Sequence, residues 1–566
     1  MNRKQALGSI AAATAVLVVV YIVVYLLNLG TRPLARMDEF RYAEIAREML
    51  AHGNWISPHL NGLRYFEKPA MGHWVEAVSI AIFGQTPFAT RLPSALATGA
   101  TALFIGLLAF RLSRDRATGV LAAFIYLSFL AVFAIGTINI LDPQLALWLT
   151  LAIGGYFWAF EELHTGRRRM MLAVAGVACG LAFLTKGFLA LVVPVVVIVP
   201  FLAWQRRWRE LFTGLWLPLV VAVAVALPWS LLVHQAEPDF WRYFFWEEHI
   251  RRFASSEAQH DKPFWFFAAA FPAMALPWVF VLPAAIRRLR EPGINPVTVR
   301  FLALWFLLPL LFFSIARGKL LTYILPCFAP LAIMLAMGLA PRIAHTGKQY
   351  LRNGIRGLAG LWTLLLVALL ANGIGGIGKP FFDSTETGRW LALLGAIGLG
   401  LLACGLALRE RHATWRTVAP GLVVLPLLFV IPFAIPNATR ATKMPGEVLA
   451  NMARNLPADA LVISDGVFVR AVGWTLKRDD IYLLSPGELE YGLSYPEARS
   501  RLLTAGSLQR LLAATREARA VFIACDVDRE PMVVAALRNS GLTHVGPPVE
   551  YGDMVAWKIL PENARP

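Results

Sequence analysis

Apolar stretches of about 20 residues recur along almost the whole chain, and no other feature of the sequence restricts the fold as much. A helix needs about that length to cross roughly 30 Å of hydrocarbon. With no water there to satisfy the backbone, a single apolar stretch can cross only as a helix. The pattern gives about thirteen crossings, centred near residues 18, 100, 126, 152, 178, 194, 222, 274, 307, 330, 364, 398 and 425. A composition of 57% hydrophobic and 16% charged residues excludes an ordinary soluble domain and agrees with a polytopic α-helical membrane protein surrounded by lipid.

The first stretch, "MNRKQALGSIAAATAVLVVVYIVVYLLNLG", starts basic, but its apolar run is too long for a signal peptide and no cleavage site follows, so it is expected to stay as the first span. Orientation follows from lysine and arginine in short loops. "RLSRDR", "HTGRRRM", "QRRWRE", "RRLREPG", "PRIAHTGKQYLRNGIR" and "RERHATWR" fall in alternate loops, which places them in the cytoplasm. The net charge of +17 then reflects topology and anionic lipid, and no nucleic-acid partner is expected. The chain is expected to divide into a membrane domain, 1–440, and an outer-side α/β domain, 441–566, where short strand-like runs ("ALVISD", "AVFIAC") alternate with helical ones. In a bacterium the outer side of the inner membrane is the periplasm. The C-terminal domain shows no glycine fingerprint and no nucleophile elbow, and no catalysis is expected there. Cys179, Cys327, Cys404 and Cys525 do not suggest a disulfide framework.

The polar chemistry collects on the outward side. Two long loops, 31–74 and 234–263, mix acids, bases, histidines and aromatics, and short outward turns add Asp142 in "LDPQ", Lys186 in "LTKG", and Lys319 and Tyr323 in "ARGKLLTY". A transporter would place ionisable residues near the midplane, with repeat symmetry between halves. No repeat is visible, and the one-sided cluster favours an enzyme at the outer interface. An amphipathic helix, "RYAEIAREML", presents Tyr42, Ile45, Ala46 and Met49 on one face and is expected to lie in the interface plane. Asp38 before it is either an N-cap or a carboxylate directed at the reaction. In "RYFEKP", Lys68 suits a phosphate and Glu67 suits a metal or a cation, while an ion pair capping a turn is the alternative. The dipeptide alone does not choose. Asp142 before Pro143 fits a plain helix start equally well.

"MDEFRYAEIAREML", "LRYFEKP", "LTKGFLALVVP", "YFFWEEHIRRFA" and "FFSIARGKLLTYILP", in this order, resemble the bacterial aminoarabinose transferases of the membrane-embedded GT-C glycosyltransferase superfamily. The resemblance is close over residues 31 to about 330 and looser beyond. It implies transfer of 4-amino-4-deoxy-L-arabinose from undecaprenyl phosphate to a phosphate of lipid A on the periplasmic face, which confers polymyxin resistance, by a monomer among membrane lipids. It nominates Lys68, Lys186, Arg252 and Lys319 as phosphate-binding cations, and Glu39, Arg41, Tyr42, Tyr65 and Tyr323 as residues lining the substrate. It also suggests a divalent metal, zinc-like, on Glu67 and His249, although a structural zinc takes four ligands and a catalytic one three. Asp38, Lys68 and Asp142 are the expected catalytic residues. A phosphate monoester is already largely anionic at neutral pH, so a base has little to remove. The expected work is stabilisation of the departing undecaprenyl phosphate, with Asp38 orienting substrate and displacement inverting the anomeric carbon. The rivals are a related transferase acting on a protein or glycan hydroxyl, and a flippase that forms no glycosidic bond.

Overall fold

The computed structural model describes residues 3–35, 38–251, 261–340, 348–376, 378–409, 413–515, 519–542 and 545–560, and divides into two compact units: residues 1–29 with 91–434, and 30–90 with 435–566. The first outer loop therefore shares a unit with the C-terminal segment rather than with the spans, a division that differs from the one drawn at residue 440.

The first unit is helical. Among the described residues, eight helices are long and apolar enough to cross a membrane: Gly8–Leu26, Pro87–Ser113, Thr165–Lys186, Trp208–Ala236, Pro296–Ile315, Leu321–Leu339, Gln349–Gly373 and Ser384–Arg409. Two bent helix pairs are apolar enough when taken together, Arg116–Leu127 with Leu130–Gly136 at 65° and Phe266–Met274 with Trp278–Leu289 at 94°. The apolar centres near 126 and 274 are therefore broken helices, and those near 194 and 425 fall on helices shorter than 18 residues, Leu189–Trp204 and Trp415–Val430. Close packing uses small residues, as expected where lipid offers no hydrophobic drive between helices. Gly176 and Gly180, one turn apart, face the 216–236 helix so closely that a Cβ would meet the Pro218 carbonyl oxygen at 2.6 Å and Val225 Cβ at 2.7 Å, respectively. All four cysteines are free.

The second unit is built on a five-stranded sheet of order β4-β3-β5-β7-β6: β3 (Leu461–Ser464), β4 (Tyr482–Leu483), β5 (Val521–Asp526), β6 (Val549–Tyr551) and β7 (Met554–Ile559). β3 runs parallel to both β4 and β5, and β7 antiparallel to β5 and β6. Both faces are covered, which explains runs such as "AVFIAC" with no polar alternation. Val521, Ile523 and Cys525 join the core against helices Ala505–Thr515 and Glu530–Asn539. Phe522 and Ala524, with Met554 and Ala556 of β7, join the opposite core with Phe40, Ala43, Ile45 and Ala46 of the Asp38–His52 helix. That helix was expected to lie in the interface plane. Its Ile45 and Ala46 are instead buried in protein, because the sheet offers them a face that would otherwise stay open.

A hairpin, β1 (His59–Leu60) and β2 (Leu63–Arg64), fastens the same loop. Its turn residues Asn61 and Gly62 both have positive φ, 57° and 65°, the pairing that a two-residue hairpin turn requires. The Glu48 carboxylate accepts both turn N–H groups, at 2.5 and 2.9 Å. Asn61 exchanges hydrogen bonds with the Ile481 backbone, and Arg501 donates to the Asn61 carbonyl at 2.7 Å.

Candidate active site

The sequence motif "RYFEKP" follows directly from β2. Tyr65 N–H still donates to the Pro58 carbonyl, so the strand is prolonged by one residue and successive side chains face opposite ways. Tyr65 meets the Arg41 guanidinium at 3.4 Å, and Phe66 packs on the Tyr491 ring at 5.7 Å. Pro69 restricts Lys68 to an extended backbone, and the Lys68 ammonium donates back to the Glu67 carbonyl at 2.9 Å. Lys68 is half-buried and Glu67 is buried.

Arg41, on the first turn of the 38–52 helix, is the hub of this unit's polar cluster. Its Nη1 donates to both Glu488 oxygens at 2.9 Å and lies 4.0 Å from Glu67, while Nη2 holds Asp38 one helical turn away. Its guanidinium also sits 5.0 Å from the Tyr42 ring centroid. Burial works against the Arg41 charge, but Tyr65, Tyr42, Glu488 and Glu67 outweigh it and hold its pKa above the usual arginine value. Asp38 keeps 46% of its side chain exposed, so a carboxylate fixed from behind by Arg41 still presents an open edge. Such an edge can orient a hydroxyl or a cationic amine. Glu39 is otherwise engaged: it is buried and accepts from Arg32 at 2.9 and 3.3 Å and from the Ala35 N–H at 2.7 Å.

His73 was not singled out by sequence. It is fully buried, 5.8 Å from the Tyr42 ring, and among the described residues neither ring nitrogen has a hydrogen-bond partner. Burial, then the nearby Arg41 and Lys68 charges, hold its pKa down to about 3, so the ring stays neutral. Glu488 and Arg470 were missed as well. Arg470 lies 3.7 Å from Glu488. Nothing in "SPGELEYG" marks Glu488, whose partner Arg41 lies 447 positions away in sequence. The C-terminal segment, from which no catalysis was expected, thus supplies two of the charged groups around Arg41.

The helical unit holds a second cluster. Asp142 opens the Asp142–Phe160 helix with Pro143 behind it, and Lys186 closes the Thr165–Lys186 helix ahead of Gly187 at φ +82°. Each sits at the helix end that its charge favours. They form an ion pair at 2.8 Å, both largely buried, with the ammonium 5.2 Å from the Tyr323 ring centroid. Lys319, nominated for phosphate, is buried and donates to the Lys262 and Arg317 carbonyls at 2.7 and 3.5 Å. Arg252 lies outside the described residues, as does the side chain of His249, whose backbone belongs to the Arg242–Arg251 π-helix. Among the described residues no group of three or more His, Cys, Asp or Glu is placed to hold a metal ion, and the Glu67 carboxylate faces a guanidinium. Glu67 and His249 alone fall short of the three or four protein ligands that a zinc takes.

Known proteins match this chain along its length. Residues 10–244 match the family of dolichyl-phosphate-mannose-protein mannosyltransferases, and residues 440–541 match the C-terminal domain of the arabinosyl transferase ArnT. An undecaprenyl phosphate-alpha-4-amino-4-deoxy-L-arabinose arabinosyl transferase of Edwardsiella ictaluri is 40% identical, covering 93% of this chain and 96% of its own length. A second, from Pseudomonas fluorescens, is 38% identical over 98% of this chain and 99% of its own. The crystal structure of ArnT from Cupriavidus metallidurans bound to undecaprenyl phosphate superposes with a TM-score of 0.81 over 99% of each chain, at 23% identity. The class is therefore a polytopic membrane glycosyltransferase that uses a lipid-phosphate sugar donor. Within it, the chain belongs to the undecaprenyl phosphate-4-amino-4-deoxy-L-arabinose arabinosyl transferase family.

Proposed function

We propose that the protein transfers 4-amino-4-deoxy-L-arabinose from undecaprenyl phosphate to a phosphate of lipid A, at the periplasmic face of a bacterial inner membrane, and so lowers surface negative charge against polymyxin and other cationic peptides. Full-length identity of about 40% to transferases named for this donor carries the reading. In the reaction, an acceptor phosphate oxygen forms a bond to the anomeric carbon as the bond to undecaprenyl phosphate breaks, with inversion. The departing phosphate gains charge, and Lys68, half-buried beside the Arg41 cluster, is the cation assigned to it. Asp38, aimed by Arg41, orients the sugar, whose amine is cationic at neutral pH. Lys186 is paired with Asp142 and Lys319 is buried, whereas Lys68 is half-buried, so the phosphate grip is assigned first to Lys68.

The test is an acceptor comparison with purified protein: lipid A against the same lipid with its phosphates removed. Transfer that requires the phosphate supports the reading. Equal transfer to the dephosphorylated lipid sinks it in favour of a hydroxyl acceptor.

A further inference from the structure

The carboxyl end of the parallel strands, where α/β sheets place their functional loops, carries a small device that leads to Glu488. β3 ends at Ser464, and the next residue, Asp465, is buried and accepts three backbone N–H groups: Val467 at 3.0 Å, Phe468 at 2.8 Å and Asp526 at 2.7 Å. These bonds fix the turn that follows β3. Gly466 in that turn donates its N–H to Ser485 Oγ at 3.2 Å, and its carbonyl accepts from Arg470 Nη2 at 3.1 Å. Gly466 also lies flat against Gly487, where a Cβ would come within 2.6 Å of the Gly487 Cα and N. Gly487 has φ +52°, so both contact residues need glycine, one for closeness and one for conformation as well. The residue after Gly487 is Glu488, with Arg41 bound to both of its oxygens and Arg470 Nη1 at 3.7 Å from Oε2.

We propose that the 485–489 loop, seated on the 465–470 turn, is a positioning device for the Arg41 guanidinium, and that Arg470 is its positioning residue. Glu488 is held between two guanidinium groups. One of them, Arg470, is buried and tied to the rigid turn; the other, Arg41, is tied to Asp38 and Tyr65. The sheet thereby sets where Glu488 points, Glu488 sets where Arg41 points, and Arg41 sets the open edge of Asp38. Arg470 itself touches no reacting atom. The inference rests on the assignment of Asp38 and Arg41 to the substrate site.

Arg470→Met keeps the volume and removes the charge. Transfer kinetics in detergent should show kcat about 10- to 100-fold lower, since small misplacement of an orienting group costs that much, with the donor KM within about twofold of wild type. Arg470→Lys should recover most of the loss. Arg470→Met with Glu488→Gln should be no slower than Glu488→Gln alone, because both act through one contact. Should Arg470→Met fail to fold, Gly466→Ala tests the same device by pushing the Gly487 contact, and the same selective loss of kcat is expected. A wild-type kcat in either variant, or losses that multiply in the double variant, overturns the proposal. Arg41→Ala separates the two levels: if it abolishes transfer while Arg470→Met keeps the wild-type kcat, positioning fails and the site stands, and if it leaves transfer intact, both fall.

Discussion

The two polar clusters differ in how completely they answer their own charges. In the helical unit Lys186 and Asp142 form a one-to-one pair, largely buried, each at the helix end that its charge favours. In the sheet unit three carboxylates, Asp38, Glu67 and Glu488, gather around the Arg41 guanidinium, Glu488 is shared with Arg470, and Asp38 keeps nearly half its side chain in the open. A closed pair can stand without a ligand. A cluster with an exposed carboxylate edge is open to one, and the proposed chemistry is placed there.

The comparison breaks or sharpens through substitutions. The largest expected effect is on the closed pair: Lys186→Met strands the buried Asp142 carboxylate and should cost about 3–5 kcal/mol in unfolding. Adding Asp142→Leu should return much of that stability. If Lys186→Met unfolds at the wild-type temperature, the pair is not closed in the sense argued. Next is Lys68→Ala, expected to slow transfer about a hundredfold, or roughly 3 kcal/mol of barrier, with little change in stability. Equal losses of rate and stability would erase the contrast between the clusters.

His73 gives a smaller, pH-dependent effect. Its folded pKa, about 3, lies below the ordinary imidazole value, so the stability tied to its neutral form is complete above about 6.5 and is lost as pH falls from there toward 3. Between pH 8 and pH 5 that amounts to about 2 kcal/mol, and His73→Phe should flatten this part of the unfolding curve. An unchanged slope would show that the ring is not buried neutral. The smallest effect belongs to Asp115, which caps the 116–127 helix by accepting from Thr118 N–H at 3.3 Å. Asp115→Ala should cost about 1 kcal/mol and leave transfer unchanged, a reference far from both arguments.

Local patterns account for most of the helical unit. The apolar centres near 18, 100, 178, 222, 307, 330, 364 and 398 each fall within a long helix, because a span is written in consecutive residues. The bends near 126 and 274 were not legible, since a break inside a span leaves the hydropathy nearly unchanged. "RYFEKP" and the "MDEF" acids stood out because charge is scarce in such a chain. Three features depended on distant residues and could not be read. The apolar face of the 38–52 helix, expected in the interface plane, is buried with the sheet, Glu488 reaches Arg41 across 447 positions, and the buried His73 looks in sequence like any interfacial histidine.

The most direct measurement is mass spectrometry of lipid A from cells lacking their own transferase, complemented with wild-type protein or Lys68→Ala at matched expression. The account predicts an aminoarabinose mass increment with wild type and its near disappearance with Lys68→Ala. A full increment from Lys68→Ala would contradict the role given to Lys68, and no increment from well-folded wild-type protein would contradict the proposed acceptor.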